Sequence, residues 1–351
     1  MKPCKLKMSH IYKQQNYKTM QGTCQLTQTN TMKQNTKLTQ LCEILMVTAI
    51  TMVTVVFGSN ESFSSSLPGC KITCGDVKNI PFPFGISNSS IPNQGPCYLE
   101  PKFELICENN TNLFWYDVPV TNINFLQGQL NVLNYVSSYC NNKNSTYSTT
   151  MPSFETVGKF SISRKENKFL TVGCDSYGYL NSIFDNETYS TGCLTRCNGN
   201  RKRIENGTCS GIGCCEVDIP PKMRNISIQA SSFFDFNESL RCSYSFVVKN
   251  GDYKFNVSHL DKFPYQELPL ILDWSVGSKN CTASKGGDDY ACKNNSVCDD
   301  EDIDFGYRCK CRDGFKGNPY LPDGCIGILI HPLHLVFFCL QNHPLTINLL
   351  V

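Results

Sequence analysis

Cysteine placement constrains this chain more than any other feature of its sequence. Eighteen of the 22 cysteines lie between Cys70 and Cys325, and the stretch from Cys209 to Cys215 contains three of them together with two glycines. Clusters of this kind occur in metal sites, redox switches and disulfide frameworks. The compartment in which the chain folds decides between these chemistries, because disulfides persist in oxidising surroundings.

The N-terminal residues indicate export. Residues 1–40 carry seven lysines and no acid, and residues 44–57 form an apolar stretch. A basic segment followed by a short apolar core is typical of a secretory signal, whereas a membrane span needs roughly 20 apolar residues. The sequence predicts a signal region at 1–58, with an atypically long lead-in, and a flexible linker at 59–69. Initiation at Met32 would give a signal of ordinary length, and a retained signal anchor is the alternative.

Glycosylation sequons agree with export. All 11 Asn-X-Ser/Thr sequons follow the apolar stretch, at Asn60, Asn88, Asn109, Asn144, Asn186, Asn206, Asn225, Asn237, Asn256, Asn280 and Asn294. A single sequon is weak support, but 11 of them indicate a glycan-coated extracellular surface. The sequence therefore predicts a glycoprotein that is secreted or held at the outer face of the plasma membrane.

In such a compartment the 18 cysteines from Cys70 to Cys325, an even number, favour nine disulfides. The spacings of Cys70 and Cys74, and of Cys309 and Cys311, would also suit zinc, but His259 is the one histidine between residues 70 and 325. We therefore expect no metal and no cofactor. The net charge of +2 comes with no basic excess over residues 70–325, which argues against nucleic acid as a partner.

The last six cysteines form the clearest motif. Residues 281–325 have the spacing C-x10-C-x5-C-x10-C-x-C-x13-C and end in "CKCRDGFKGNPYLPDGC", which resembles an EGF-like module. The resemblance implies the pairs Cys281–Cys298, Cys292–Cys309 and Cys311–Cys325. The acidic run from Asp299 to Asp304 favours a solvated loop over a calcium site, because the stretch before the first cysteine, "WSVGSKNC", lacks the acidic signature of calcium-binding EGF modules.

The other cysteines belong to a second motif series. The segments "GCKITCGDVKNIPFPFGI", "GPCYLEPKFELIC", "FLTVGC" and "CSGIGCCEVDIP", in this order, resemble the extracellular region of plant wall-associated receptor kinases. In that family a galacturonan-binding domain and a cysteine-rich segment precede EGF-like repeats. Twelve cysteines remain to be paired in unknown order: Cys70, Cys74, Cys97, Cys107, Cys140, Cys174, Cys193, Cys197, Cys209, Cys214, Cys215 and Cys242. Adjacent side chains of an extended chain point to opposite faces, so Cys214 and Cys215 should bond two different partners.

Short runs of β-forming residues between turn residues predict an all-β fold made of small disulfide-rich domains. The expected order is a galacturonan-binding-type domain at 70–175, a cysteine-rich segment at 176–280, an EGF-like module at 281–325 and an apolar tail at 326–351, truncated or aberrant in origin. The Phe side chains of "PFPFG" (81–85) should fill a small core from an extended edge or turn. No kinase motif follows residue 325, so a kinase domain is not expected in this chain.

The resemblance implies binding of de-esterified pectin or oligogalacturonides in the cell wall. Their row of carboxylates requires several aligned cations, because each exposed ion pair contributes less than about 1 kcal/mol. The candidate cations are Arg196, Arg201, Lys202 and Arg203, then Arg164, Lys165 and Lys168, with Lys222 and Arg224 as a further pair. Trp115 and Tyr116 could stack on sugars, although core positions are more common for such residues.

Two other function classes are alternatives to carbohydrate binding. A protein-interaction ectodomain, in which the EGF-like module docks other receptor ectodomains, is the alternative and is compatible with sugar binding. An enzyme is not expected, because no nucleophile motif or histidine constellation accompanies the acidic residues.

Overall fold

Strands make up nearly all of the regular structure. The computed structural model describes residues 65–87, 95–141, 147–156, 158–184, 187–197, 203–233 and 242–327, which lie within one compact unit, Phe63–Gly327. The signal region 1–58, the linker up to residue 64 and the tail from residue 328 lie outside the described residues. So do Arg201, Lys202 and the sequons at Asn60, Asn88, Asn144, Asn186 and Asn237.

Twenty strands lie in the described residues. The first ten are β1 (Gly85–Ile86), β2 (Glu104–Glu108), β3 (Asn112–Trp115), β4 (Val118–Asn124), β5 (Gln129–Tyr135), β6 (Ser137–Asn141), β7 (Tyr147–Thr150), β8 (Ser153–Phe154), β9 (Phe160–Ile162) and β10 (Asn167–Val172). The others are β11 (Ser176–Phe184), β12 (Glu187–Leu194), β13 (Cys214–Asp218), β14 (Ile226–Ser232), β15 (Cys242–Lys249), β16 (Glu267–Trp274), β17 (Ser296–Asp299), β18 (Arg308–Cys311), β19 (Phe315–Gly317) and β20 (Cys325–Gly327).

Helical structure in the same residues is confined to single turns. These are 3-10 turns at Pro101–Phe103 and Val257–Leu260 and a one-turn helix, α1 (Cys281–Ser284). None of these turns approaches the length and apolar content that a bilayer-crossing helix requires. The prediction of an all-β, disulfide-rich fold is confirmed.

Three sheets form the body that precedes the EGF-like module. Their strand orders are β1-β2-β3-β4-β5-β16-β9, β13-β10-β15-β6-β7 and β12-β11-β14-β8. Strand β16 pairs with β5 on one side and β9 on the other, and β15 pairs with β10 and β6. Strands from the two predicted segments 70–175 and 176–280 therefore share sheets, and the two segments form one folded body.

An aromatic core holds this body together. Phe84, Phe103 and Phe160 are fully buried, and the Phe84 ring lies edge-on to Phe103 at 5.2 Å and to Trp274 at 5.4 Å. The "PFPFG" stretch, with a cis bond before Pro83, leads into the two-residue edge strand β1. This stretch thus delivers phenylalanines to the core from an edge, as its prolines predict.

All 18 cysteines from Cys70 to Cys325 are disulfide-bonded. The body contains Cys70–Cys97, Cys74–Cys107, Cys140–Cys242, Cys174–Cys197, Cys193–Cys215 and Cys209–Cys214. The EGF-like module contains Cys281–Cys298, Cys292–Cys309 and Cys311–Cys325, the pairing that its resemblance implies. Because Cys214 and Cys215 are neighbours on β13, they point to opposite faces, and they bond Cys209 and Cys193 respectively.

The EGF-like module packs firmly on the body. Val276 and Tyr307 exchange both backbone hydrogen bonds, at 2.8 and 3.0 Å, and the Tyr307 side chain is fully buried. Gly277, at φ +68°, makes room for this ring, because a Cβ there would lie 2.4 Å from its Cε1 atom. The module therefore shares the core of the body.

A buried asparagine fixes the other end of the module. Asn318, 4 % exposed, donates from Nδ2 to the carbonyl oxygens of Ser65 at 2.8 Å and Phe82 at 2.6 Å. Its Oδ1 accepts from the backbone N–H of Tyr320 at 3.0 Å. The N-terminal segment and the module are thus tied by one side chain that uses its whole amide group.

We predict that Asn318→Ala lowers the free energy of unfolding by about 2–4 kcal/mol, because it leaves two buried carbonyl groups and one N–H without partners. Denaturant unfolding of the secreted, disulfide-intact protein measures this loss. Asp323→Ala, an exposed position in the same module, serves as the control and should change the value by no more than about 0.5 kcal/mol. Equal stability of the two variants would contradict the assigned role of Asn318.

Candidate functional site

Four of the candidate cations lie at the junction between the body and the EGF-like module, two on each of two turns. Arg164 and Lys165 occupy the turn between β9 and β10. Lys165 Nζ lies 2.6 Å from Oδ2 of Asp302, and Arg164 Nη2 lies 3.8 Å from Oδ1 of the same carboxylate. Both cations are exposed, and both face a carboxylate of the EGF-like module.

The turn between β13 and β14 approaches the same acidic loop. The backbone N–H of Lys222 donates to Asp304 Oδ2 at 3.1 Å, and the guanidinium of Arg224 lies over the ring of Phe305. Two separate turns of the body therefore present basic residues to residues 302–305. We call this arrangement the junction cluster: Arg164, Lys165, Lys222 and Arg224 facing residues 302–305.

The acidic run expected as a solvated loop is instead used for contacts, because its carboxylates find separate partners. Asp299 pairs with Lys310, and Asp300 Oδ2 accepts from the backbone N–H of Cys281 at 2.8 Å. Asp302 and Asp304 face the body, as described above. Among the described residues, no three His, Cys, Asp or Glu side chains converge in an arrangement that could hold a metal ion.

The surroundings of two acids at and near the junction cluster shift their pKa values. The hydrogen bond from Lys165, together with the charges of Lys165 and Arg164, lowers the pKa of Asp302 below its usual value. Deeper in the cleft, burial raises the pKa of Asp273. The adjoining cavity holds only about 20 Å³, room for about one water molecule, so the loop nearly fills the cleft.

The other predicted cations that the structure describes do not form one row. Lys168 pairs with Asp218 across the β10–β13 ladder, and this hydrogen bond raises the pKa of Lys168. Arg196 lies 3.7 Å from Asp175 Oδ1, with its guanidinium 3.9 Å from the centre of the Phe233 ring. Arg203 is exposed and is the first residue of the described range 203–233. The structure thus brings Arg164 and Lys165 together with Lys222 and Arg224 around residues 302–305. It leaves Lys168, Arg196 and Arg203 apart in separate settings.

The two aromatic residues considered for sugar stacking have different environments. Trp115 is 1 % exposed and donates from Nε1 to the Lys102 carbonyl at 2.8 Å, so it belongs to the core. Tyr116 is 47 % exposed and lies at the surface.

Sequons in the described residues lie at the surface. The exposed asparagines are Asn109, Asn206, Asn225, Asn256, Asn280 and Asn294. Asn206 accepts a hydrogen bond from Val257 N–H through Oδ1 at 2.8 Å, a contact that does not use its Nδ2 atom, the position of glycan attachment. A glycan there would stand three residues from Arg203.

Comparisons with known proteins agree with the cysteine series. A family model described as "Wall-associated receptor kinase galacturonan-binding" matches residues 70–134. Over 271 residues, 73% of this chain, the chain is 34% identical to wall-associated receptor kinase 2 and 36% identical to wall-associated receptor kinase 5, both of Arabidopsis thaliana. The chain spans about a third of the length of these relatives, 34% in each case. No solved structure matches the chain.

The matched segment itself carries little positive charge. Residues 70–134 contain three lysines, no arginine and five acidic residues. The candidate cations Arg164, Lys165 and Arg203 all follow this segment. These candidate cations therefore lie outside the segment that matches the family model.

We predict that Lys165→Gln raises the pKa of Asp302 toward the usual value of an aspartate, because it removes the hydrogen bond and the nearest positive charge. In the unchanged protein the ion pair persists above the usual pKa and is lost as the pH falls through the lowered value. Carboxyl-resolved NMR titration of both proteins measures the shift. A pKa of Asp302 that is the same in both proteins would contradict the assigned contact.

Proposed function

This chain is related to the extracellular region of the plant wall-associated receptor kinases, and on this premise we propose that it is an extracellular protein that binds de-esterified pectin in the plant cell wall. The observation that carries the proposal is the match of residues 70–134 to the galacturonan-binding family. The nine disulfides and the exposed sequons fit an extracellular chain, where oxidation and glycosylation take place.

The chemistry of the ligand favours a distributed site. De-esterified pectin offers one carboxylate per sugar, and a single exposed ion pair contributes less than about 1 kcal/mol. Several weak contacts along one chain add up, because each contact after the first is intramolecular. The matched segment holds three lysines against five acids, so we place part of the cationic contact outside it.

We assign this contact to Arg164 and Lys165. These are adjacent in sequence, and their side chains are 43 % and 60 % exposed. The Asp302 carboxylate that they hold is the same chemical group as the carboxylate of a galacturonate. A sugar carboxylate that replaced Asp302 would gain equivalent contacts, so Asp302 competes with the ligand in this proposal.

This competition predicts mutations of opposite sign. The double variant Arg164→Gln with Lys165→Gln should bind polygalacturonate up to about tenfold more weakly at low salt, the loss of two exposed ion pairs. Asp302→Asn should bind it more tightly, because the cations are released to the ligand. Both differences should shrink at high salt, since exposed charges are screened over about 8–10 Å at physiological ionic strength.

Lys249→Gln provides a matched control. Lys249, the last residue of β15, forms an exposed ion pair in which its Nζ lies 3.8 Å from Asp252 Oδ2. The affinity of this variant for polygalacturonate should equal that of the unchanged protein. A triple variant that neutralises Arg201, Lys202 and Arg203 tests the second predicted cluster. If this triple variant alone loses binding, the contact lies there and the assignment to Arg164 and Lys165 is wrong.

A binding protein should retain polygalacturonate without cleaving it. We predict saturable retention on immobilised polygalacturonate, weak retention on fully methyl-esterified pectin, and no release of reducing ends during prolonged incubation. Turnover in the reducing-end assay would indicate an enzyme, and absence of retention at low salt would refute pectin binding.

A further inference from the structure

A second surface of the body has a composition different from that of the junction cluster. Edge strand β12 of the four-stranded sheet approaches edge strand β13 of the five-stranded sheet, and the Cys193–Cys215 disulfide joins them. Between the two edges lies an open groove of about 760 Å³, within the usual range of roughly 300–1,000 Å³ for a small-molecule site. We call it the aromatic groove.

One wall of the aromatic groove is a row of aromatic rings. Tyr177 and Tyr179 lie two residues apart on the same face of β11, and their ring centres are 5.6 Å apart. The ring centre of Phe233 lies 4.8 Å from that of Tyr177. Tyr179 and Phe233 are 45 % and 39 % exposed, and Leu194 extends the apolar surface at 55 %. The ring planes are inclined to one another, by 64° between Tyr177 and Tyr179 and by 51° between Tyr177 and Phe233, so each ring offers a separate contact surface.

The floor of the groove is smooth because it contains glycine. Gly192 lies opposite Tyr179 on β12, and a Cβ at Gly192 would lie 2.9 Å from a carbon of the Tyr179 ring. The ring can therefore lie low against the sheet. Gly211 also lines the groove, whereas the position of a Cβ at Gly178 faces Ser245 and Thr171 on the other side of β11. With Gly192 and Gly211, this part of the groove offers no deep side-chain sockets of the kind that an extended peptide would require for specificity.

The charges around this groove do not suit a uronate. Glu216 is the one charged side chain among the described lining residues. Arg196, next to the groove, is already compensated by Asp175 and packs on Phe233. A carboxylate-bearing sugar would meet Glu216, and the described cations beside the groove, Arg196 and Lys168, already pair with Asp175 and Asp218. An uncharged sugar would meet no such repulsion.

We propose that the aromatic groove binds uncharged pyranosyl residues of a wall polysaccharide, with their apolar C–H groups against Tyr179, Tyr177 and the part of Phe233 that Arg196 leaves exposed. The tyrosine hydroxyls, the Ser210 hydroxyl and Glu216 supply hydrogen-bonding groups for sugar hydroxyls. An aromatic wall with a few polar groups is the usual make-up of a ligand site. Disulfides on both sides of the groove hold its walls in place, which lowers the ordering cost of binding.

The site is independent of the proposed binding of polygalacturonate and differs from it in salt dependence. Stacking and neutral hydrogen bonds are not screened by ions, so affinity should be the same at low and high salt. Titration calorimetry of the secreted full-length chain with galactotetraose and with cellotetraose tests this. We expect at least one of these uncharged probes to bind at both salt concentrations.

Substitutions in the groove locate the binding. Tyr179→Ala should weaken the affinity for the bound probe by about threefold to tenfold, the size of one aromatic contact, and Tyr179→Phe should retain most of it. Leu194→Ala is a second groove variant with a smaller expected loss. Tyr189→Ala is the matched control, because Tyr189 is 48 % exposed on the same hairpin but does not line the groove.

Comparison with the junction cluster keeps the two proposals separate. Tyr179→Ala should leave polygalacturonate binding unchanged, and the Arg164→Gln, Lys165→Gln protein should bind the uncharged probe normally. The proposal is overturned if neither probe binds, or if Tyr179→Ala and Tyr189→Ala behave alike. It is also overturned if sedimentation shows a dimer that Tyr179→Ala disrupts, since the groove would then hold a second copy of the chain.

Discussion

The packing of Trp274 is the interaction on which the rest of the structure depends. This side chain, 2 % exposed at the end of β16, lies 5.4 Å from Phe84 and 5.8 Å from Phe103 of the matched segment and 5.9 Å from Tyr320 of the EGF-like module. Three parts of the chain that are far apart in sequence therefore meet on one indole ring. Aromatic pairs contribute roughly 0.5–1.5 kcal/mol each beyond the area they bury, so their sum at this point couples the folding of the module to that of the body.

This coupling changes the role of the disulfides. A 45-residue EGF-like module is too small for a core of its own, and disulfides commonly substitute for one in domains of this size. In the structure, Tyr307 and Tyr320 are buried at 0 % and 2 %, because the body covers them. The disulfides hold the strands of the module together, and the shared aromatic core fixes the module in place. In the body, Cys140–Cys242 spans 102 residues and joins β6 to β15, whereas Cys209–Cys214 spans five and closes a turn.

Local patterns in the sequence predicted those features that depend on neighbouring residues. Alternation of side chains along a strand predicts the β class and the opposite directions of Cys214 and Cys215. The backbone chemistry of proline predicts the edge position of "PFPFG", and the usual placement of a large aromatic side chain predicts the core position of Trp115. The pairing of β16 with β5 and the convergence of two turns on residues 302–305 could not be predicted, because they depend on long-range register. Lys165 and its partner Asp302 are 137 residues apart, so a search for clustered cations along the sequence finds Lys165 and misses the acid that neutralises it.

Internal neutralisation explains how a chain with little net charge could recognise a polyanion. Asp302 faces Arg164 and Lys165, and Asp218 faces Lys168. A ligand carboxylate that replaces one of these acids exchanges one ion pair for another in water, so the free-energy difference at each position is small. Appreciable affinity then requires several exchanges on the same polymer, and each exchange after the first is intramolecular. A short or partly esterified uronate chain has fewer carboxylates available for such intramolecular exchanges. Recognition by exchange would therefore select long de-esterified stretches, and it would not require a strongly basic surface on the protein.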